Sequence, residues 1–280
     1  MNKTLLALFG LKFNPFACGV PAAALHVTPR VEHFRRRVTH LAAEGGFALI
    51  CGEPGTGKSA ALRITAEHLA DQRDIRVGMI SRPQTNIADF YREMGDLFGV
   101  ELHPHNRWAG TKILRQRWQD HIDGALSRPV LIVDEAQEMQ PVVLSELRIL
   151  SSTRLDSQIL LTVVLAGDSR LEERLRTDEF RPLDSRIRIR LQMERASPDS
   201  LQACLRHLLA EAGAPALMTP EVIVSLSEFA HGNLRSLMHM ADGLLITAAE
   251  RELPRIDEAL LIDSGLTAPQ PKTAIGGRRR

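Results

Sequence analysis

Residues Gly52-Glu53-Pro54-Gly55-Thr56-Gly57-Lys58-Ser59 fit the spacing G-x-x-x-x-G-K-[ST] at every fixed position. Each residue type there has a mechanical reason. Glycines let backbone N–H groups turn inward around phosphate oxygens, Lys58 supplies a point charge, and Ser59 offers a hydroxyl to Mg2+. The octapeptide predicts a nucleoside triphosphate site. A second signal of phosphate chemistry is the pair Asp134-Glu135, which ends the apolar run Pro129 to Val133. Beside a phosphate loop, Asp134 is expected to orient magnesium or its waters, and Glu135 to polarise the attacking water.

These residues need particular elements to hold them. Phe47 to Cys51 is a short apolar run of strand type that ends directly at Gly52. From Lys58 to Ala70, residues Ala61, Leu62, Thr65, Ala66 and Leu69 recur at helix spacing. Strand, glycine loop and helix in that order set the helix N-terminus, with its unpaired N–H groups and partial positive charge, against the phosphates. Further strands are predicted at Ile75–Ser81, Pro129–Asp134, Ile159–Ala166 and Ile187–Met193. Helices are predicted from Asn86 to about Phe98, over 107–127, and from Val142 to Ser152 behind Pro141. In the last strand Arg186, Arg188 and Arg190 alternate with Ile187, Ile189 and Leu191, so the three arginines share one face.

After Ser197 the pattern turns wholly helical. Ser197-Pro198 and Thr219-Pro220 each pair a capping hydroxyl with proline at the first helical position, and two more helices are expected from about Leu234 to Glu250 and over Pro254–Leu266. The predicted fold is α/β: a five-stranded, mostly parallel sheet with flanking helices, followed by a small all-α lid. The predicted bounds are 1–45 for an N-terminal arm and first helix, 46–195 for the α/β core, 196–266 for the lid, and 267–280 for a flexible basic tail ending in Arg278-Arg279-Arg280.

Composition narrows the class. The 280 residues carry 35 Lys plus Arg against 34 Asp plus Glu, so any claim about nucleic acid must rest on local clusters rather than net charge. The longest apolar run, Ile159 to Gly167, is too short to span a bilayer. Leu5 to Leu11 is interrupted by Lys12 and Asn14 and is assigned to the fold rather than to a secretory leader. Three widely spaced cysteines, Cys18, Cys51 and Cys204, lack metal-ligand spacing and suggest thiols in a reducing cytoplasm.

Together, the phosphate loop, the Asp134-Glu135 strand, a polar residue at Asp168, an arginine near the last strand and a helical lid resemble the AAA+ ATPases. Phe13-Asn14-Pro15-Phe16, Asp134-Glu135-Ala136-Gln137, Leu147-Arg148-Ile149-Leu150 and Gly232-Asn233-Leu234-Arg235 look like the ExeA-like branch of that family. That branch contains secretion ATPases and transposition regulators of the TnsC, MuB and IstB kind. The resemblance implies ATP and Mg2+ as cofactors. It implies that Asp168 stands at the sensor position, where the family prefers an amide or hydroxyl. It implies that Arg235 contacts the terminal phosphates and that Arg186 is a finger acting on a neighbouring subunit's nucleotide, in a ring or filament; Arg188 and Arg190 share its face and remain alternatives. Asn14, Pro15 and Phe16 would lie near adenine, or else simply pack an arm against the core.

The sequence also bears on the task. Arg107, Lys112, Arg115 and Arg117, interleaved with Trp108 and Trp118, precede any acid until Asp120, and Arg82 follows the second strand. Arg82, Lys112 and Arg115 are therefore candidates for gripping DNA phosphates, against the alternative of a solvated helix face with inward tryptophans. The expected function is an ATP-dependent oligomeric regulator of DNA transposition. It binds duplex DNA without sequence preference, selects the target, and recruits or activates a transposase or target-selection protein. The chain's stopping after the lid, without a membrane segment or added domain, is taken to favour this reading over a secretion role, and no membrane partner is expected. The alternative is an ATPase that assembles a secretion or membrane complex without nucleic acid.

Overall fold

The computed structural model describes residues 2–80, 82–102, 107–125, 127–153 and 158–265. Within them the chain divides into two compact units, Val27–Glu194 and residues 1–26 together with 195–280.

The first unit is built on a sheet. Helix α1, Asn2–Phe9, belongs to the other unit; α2, Pro29–Glu44, opens this one and leads into strand β1, Gly46–Gly52. There follow α3 (Lys58–Ala70), β2 (Ile75–Ile80), α4 (Ile87–Phe98), α5 (Arg107–Asp120) and β3 (Arg128–Val133). Then come α6 (Pro141–Ser151), the two-residue strands β4 (Ser152–Thr153) and β5 (Gln158–Ile159), and β6 (Thr162–Gly167). Short helices α7 (Ser169–Leu175) and α8 (Arg181–Asp184) precede β7 (Ile187–Met193). Five strands form one parallel sheet in the order β2-β3-β6-β1-β7, while β4 and β5 pair antiparallel as a separate two-stranded element.

Burial follows from position in that sheet. Central strands β1 and β6 are buried at every residue, as expected where helices cover both faces, and both read as continuous apolar runs. Edge strand β7 alternates instead, with Ile187, Ile189 and Leu191 buried and Arg188, Arg190 and Gln192 exposed. The main core holds Phe47, Leu49, Leu131, Val133, Val163 and Leu165 from the strands, with Phe90, Met94, Phe98, Leu114 and Trp118 from α4 and α5.

Two boundaries differ from the sequence reading. The run expected as one strand from Ile159 splits, because Leu160 and Leu161 leave the β4–β5 pairing before β6 begins at Thr162. The helix expected over 107–127 holds α-geometry only to Asp120 and continues as one π-type turn, His121–Ala125.

The second unit is helical: α9 (Pro198–Glu211), α10 (Pro220–Phe229), α11 (Leu234–Glu250) and α12 (Glu258–Asp263) pack with α1. Their N-termini are capped by Ser197, Thr219, Asn233 and Asp257. The arm at the chain start is part of this unit: Leu5, Leu11 and Phe16 share one apolar cluster with Leu201, Leu205, Leu244 and Leu245. Conversely α2, expected with the arm, packs Phe34 and Val38 in the sheet-bearing unit. The basic tail lies outside the described residues.

Candidate nucleotide and hydrolysis site

Strand β1 carries the phosphate loop out of the sheet. Gly52, its last residue, leaves no room for a side chain, since a Cβ would sit 2.4 Å from the Met193 carbonyl oxygen of β7. Thr56 closes the turn by donating its hydroxyl to the Glu53 carbonyl at 2.8 Å. Gly57 has φ 98°, a left-handed conformation that glycine adopts without Cβ strain, and it starts α3 with no side-chain cap. The α3 N–H groups are thus left for a ligand.

Lys58 lies over this turn and is only 6% exposed. Its ammonium donates to the Gly52 carbonyl at 2.9 Å and the Glu53 carbonyl at 3.1 Å, and among the described residues it forms no ion pair. A buried cation whose direct partners are neutral carbonyls lacks the ion pair that burial ordinarily demands. An uncapped helix N-terminus beside that cation fits the polyphosphate of a nucleotide. Ser59, the next residue, is exposed.

The acidic pair follows β3, the sheet's neighbour to β6. Asp134 is half-buried and accepts from the Glu135 backbone N–H at 2.9 Å. Glu135 is exposed and has φ 50°, a region that a non-glycine residue occupies only where the surroundings impose it. At the end of β6, Asp168 caps α7 by accepting from the Arg170 N–H at 3.0 Å. The Arg170 guanidinium also pairs with Asp168 at 2.8 Å and with Glu138 at 2.9 Å. That guanidinium holds the Asp168 carboxyl below its ordinary range, and the charge of Lys58 lowers it further. β3 and β6 thus bring Asp134, Glu135 and Asp168 to one end of the sheet, the end at which β1 delivers the loop.

Arg186 stands at the other end. It directly precedes β7, whose Ile187 pairs with Phe47 at the start of β1, and it lines a pocket of about 230 Å³ with Ser151, Ser152 and Ser185. Six steps of strand at about 3.3 Å separate Gly46 from Gly52, so about 20 Å lies between this arginine's end of the sheet and the loop. No arginine side chain spans that. Arg188 pairs with Glu44 at 3.1 Å and Arg190 with Asp184 at 2.7 Å.

In the helical unit, Arg235 is exposed on the first turn of α11. Among the described residues it has no hydrogen bond or ion pair. A cation at a helix N-terminus opposes the helix dipole, which an anion would relieve. Gly232 just before it has φ 80° and would place a Cβ 2.7 Å from the Arg195 Cβ, so the turn admits glycine alone. Asn14, Pro15 and Phe16 lie in this same unit: the Asn14 amide donates to Asp242 at 2.8 Å, its carbonyl accepts from the Phe16 N–H at 2.9 Å, and Pro15 and Phe16 are buried.

The basic residues separate into two places. Lys112 and Arg115, three apart on α5, line a groove of about 720 Å³ with Trp108, Gln116, Glu146 and Ile149. Lys112 sits 5.6 Å from the Trp108 ring centroid, and that ring is 76% exposed. Trp118 is instead 1% exposed, packed edge-on to Phe98 at 5.3 Å. One tryptophan is presented to solvent and one is core. Arg82 is exposed in the turn after β2 and is no part of that groove.

Gln137, part of the Asp134–Gln137 motif but given no role by it, has a buried amide that reaches both Glu135 and the Asp168 turn. A polar side chain placed two residues after a catalytic-type carboxylate was the available signal. Among the described residues no group of His, Cys, Asp and Glu could hold a metal on its own, and no helix is long and apolar enough to cross a membrane.

Residues 41–175 match the protein family described as an AAA domain, AAA_22. The chain is 32% identical over 248 residues to General secretion pathway protein A of Aeromonas hydrophila, covering 87% of this chain and 44% of that protein. It is 28% identical over 162 residues to ATP-dependent target DNA activator B of Escherichia phage Mu, covering 56% of this chain and 47% of that protein. The chain therefore spans less than half the length of the relatives it matches. Among solved structures, Cdc6p of Pyrobaculum aerophilum superposes with a TM-score of 0.71 at 15% identity, over 91% of this chain and 71% of that one. The Thermotoga maritima RuvB branch migration motor gives 0.55 at 15% identity, over 85% and 68%. At such identity these likenesses establish the fold, a parallel P-loop sheet with flanking helices.

Proposed function

We propose, for a chain that carries an AAA-family domain related to both the secretion and the target-DNA proteins, that it hydrolyses ATP and acts as an oligomer on duplex DNA. Lys58, the α3 N-terminus and Ser59 would hold the phosphates, with Asp134 and Ser59 at the magnesium. Bound there, Mg2+ would neutralise charge on the phosphoryl oxygens. Glu135 would accept a proton from the attacking water, Asp168 would help orient that water, and Arg235 would bind phosphate. Asn14, Pro15 and Phe16 are proposed to lie beside the adenine.

The observation that carries an oligomer is the position of Arg186, about 20 Å of strand away from its own loop. A finger there serves only another copy's nucleotide, so each site is completed by a neighbour. Such fingers are worth about 10³ to 10⁵ in rate because they offset charge on the transferring phosphoryl group.

The DNA reading rests on the exposed Trp108 with Lys112 and Arg115 on one helix face, and Arg82 is proposed to add to it. Within that reading, the chain selects a transposition target and recruits or activates a transposase in the cytoplasm. It predicts ATP-dependent binding to duplexes of any sequence, with log affinity falling linearly as log salt rises. Binding that is absent with ATP present, or insensitive to salt, refutes it.

A second reading, assembly of a secretion complex without nucleic acid, is favoured by one observation: the relation to General secretion pathway protein A covers more of this chain, at higher identity, than the relation to the target-DNA activator. The same salt titration separates the two.

A further inference from the structure

Gln137 is 4% exposed and follows the acidic pair in a short 3-10 turn, Ala136–Glu138. Its side-chain Nε2 donates to Glu135 Oε2, and its Oε1 accepts from the Asp168 backbone N–H at 3.3 Å. An amide has one accepting and one donating end, and a backbone N–H can meet only the oxygen. The Asp168 contact therefore dictates that the NH2 faces Glu135.

The surroundings are shaped for this side chain. The last register pair between β3 and β6 is Val133 with Leu165; past it, the Gln137 amide bridges the two strand ends. A Cβ at Gly167 would lie 2.6 Å from Gln137 Oε1 and 2.7 Å from Leu171 Cδ2, so only glycine there leaves the amide its place. Glu135, meanwhile, has φ 50° and is exposed as a residue. One buried side chain, beside a glycine whose Cβ would crowd it, thus joins the Glu135 carboxylate to the end of the neighbouring strand.

We propose that Gln137 is a positioning residue for hydrolysis. It occupies Glu135 Oε2, leaves Oε1 to accept from the attacking water, and ties that orientation to the Asp168 turn. Movement of the Asp168 turn on nucleotide binding then reaches Glu135 through a single amide. This inference rests on the reading of Glu135 as the water-polarising group.

The test compares steady-state ATP turnover and nucleotide affinity in full-length wild type, Gln137→Ala, Gln137→Glu, Glu135→Gln and the Glu135→Gln/Gln137→Ala double variant. Gln137→Glu keeps the shape and the acceptor for the Asp168 N–H but turns the donor to Glu135 into a second carboxyl, which repels Glu135 or shares its proton; either way the neutral N–H···O contact is lost without a cavity, which separates positioning from packing. Both single Gln137 variants should bind ATP as tightly as wild type while kcat falls by about 10- to 100-fold, a part of the roughly 10²- to 10⁴-fold contribution of a positioned base. The double variant should be no slower than Glu135→Gln alone, as expected for residues acting as a unit. Wild-type turnover in Gln137→Glu overturns the inference. So does a parallel loss of ATP affinity in both variants, or a double variant slowed by the full Gln137→Ala factor. Normal turnover in Glu135→Gln overturns instead the reading of Glu135 on which the inference depends.

Discussion

In the proposed site Lys58 would hold the phosphates and Glu135 would act on the attacking water, and the settings of the two residues differ. The ammonium is buried on two carbonyls and forms no ion pair among the described residues, whereas Glu135 is an exposed residue with φ 50°. Lys58→Ala is expected to abolish ATP binding, measured by fluorescent-nucleotide titration. Glu135→Gln is expected to retain binding and lose about 10²- to 10⁴-fold in kcat. Retained turnover in the second variant contradicts the assignment. Both residues were legible in sequence, because a phosphate loop and an acidic strand end are local patterns. Gln137 was legible only as a polar residue two places after Glu135; its reach to the Asp168 turn was not, since that depends on β6 lying beside β3, a pairing between segments far apart in sequence. The cysteines show the same limit: burial pushes the Cys51 thiol up to about 12, with Glu172 adding to the shift, and the Cys204 thiol to about 11, while Cys18 is exposed. A thiol reagent at pH 8 should therefore label one cysteine rapidly in the native protein and the other two only on unfolding.

Among the elements, α7 depends on Asp168 as both cap and ion-pair partner. Asp168→Ala removes the cap and is expected to lower stability by about 1 kcal/mol by chemical denaturation, whereas Asp168→Asn keeps a capping oxygen and loses only the charge. The pH dependence follows from the direction of the shift. The folded carboxyl titrates below its ordinary value of 3.8, so its pairing with Arg170 contributes above that value and is lost as pH falls through the lower folded one. The melting-temperature gap between wild type and Asp168→Asn at pH 7 should close below pH 3.8; a gap unchanged in acid rules out the pair as its source. Strand identities were readable from apolar runs, and β7 from its period-two alternation. The break between β5 and β6 was not, because Ile159 to Ala166 is apolar but for Thr162 and carries no turn residue. Nor could helix spacing tell Trp118 from Trp108: only the position of α4 decides that Phe98 covers the first.

For the whole molecule, sequence order and spatial grouping diverge at the start of the chain. The first 26 residues group with the helical unit and not with the sheet they precede, because Leu5, Leu11 and Phe16 find their apolar partners on α9 and α11. No local pattern in those residues names such distant partners. The central claim belongs to this scale as well: a site that one copy cannot complete. It predicts that Arg186→Ala, with an intact loop, and Lys58→Ala, with an intact arginine, are each inactive alone, Arg186→Ala by about 10³- to 10⁵-fold. Mixing the two should restore ATP turnover, since the loop of one copy then meets Arg186 of the other. The decisive measurement is the steady-state ATPase rate of that mixture over a range of ratios. The account predicts a maximum at intermediate ratios well above either variant alone; a rate that never exceeds the sum of the separate variants would contradict it.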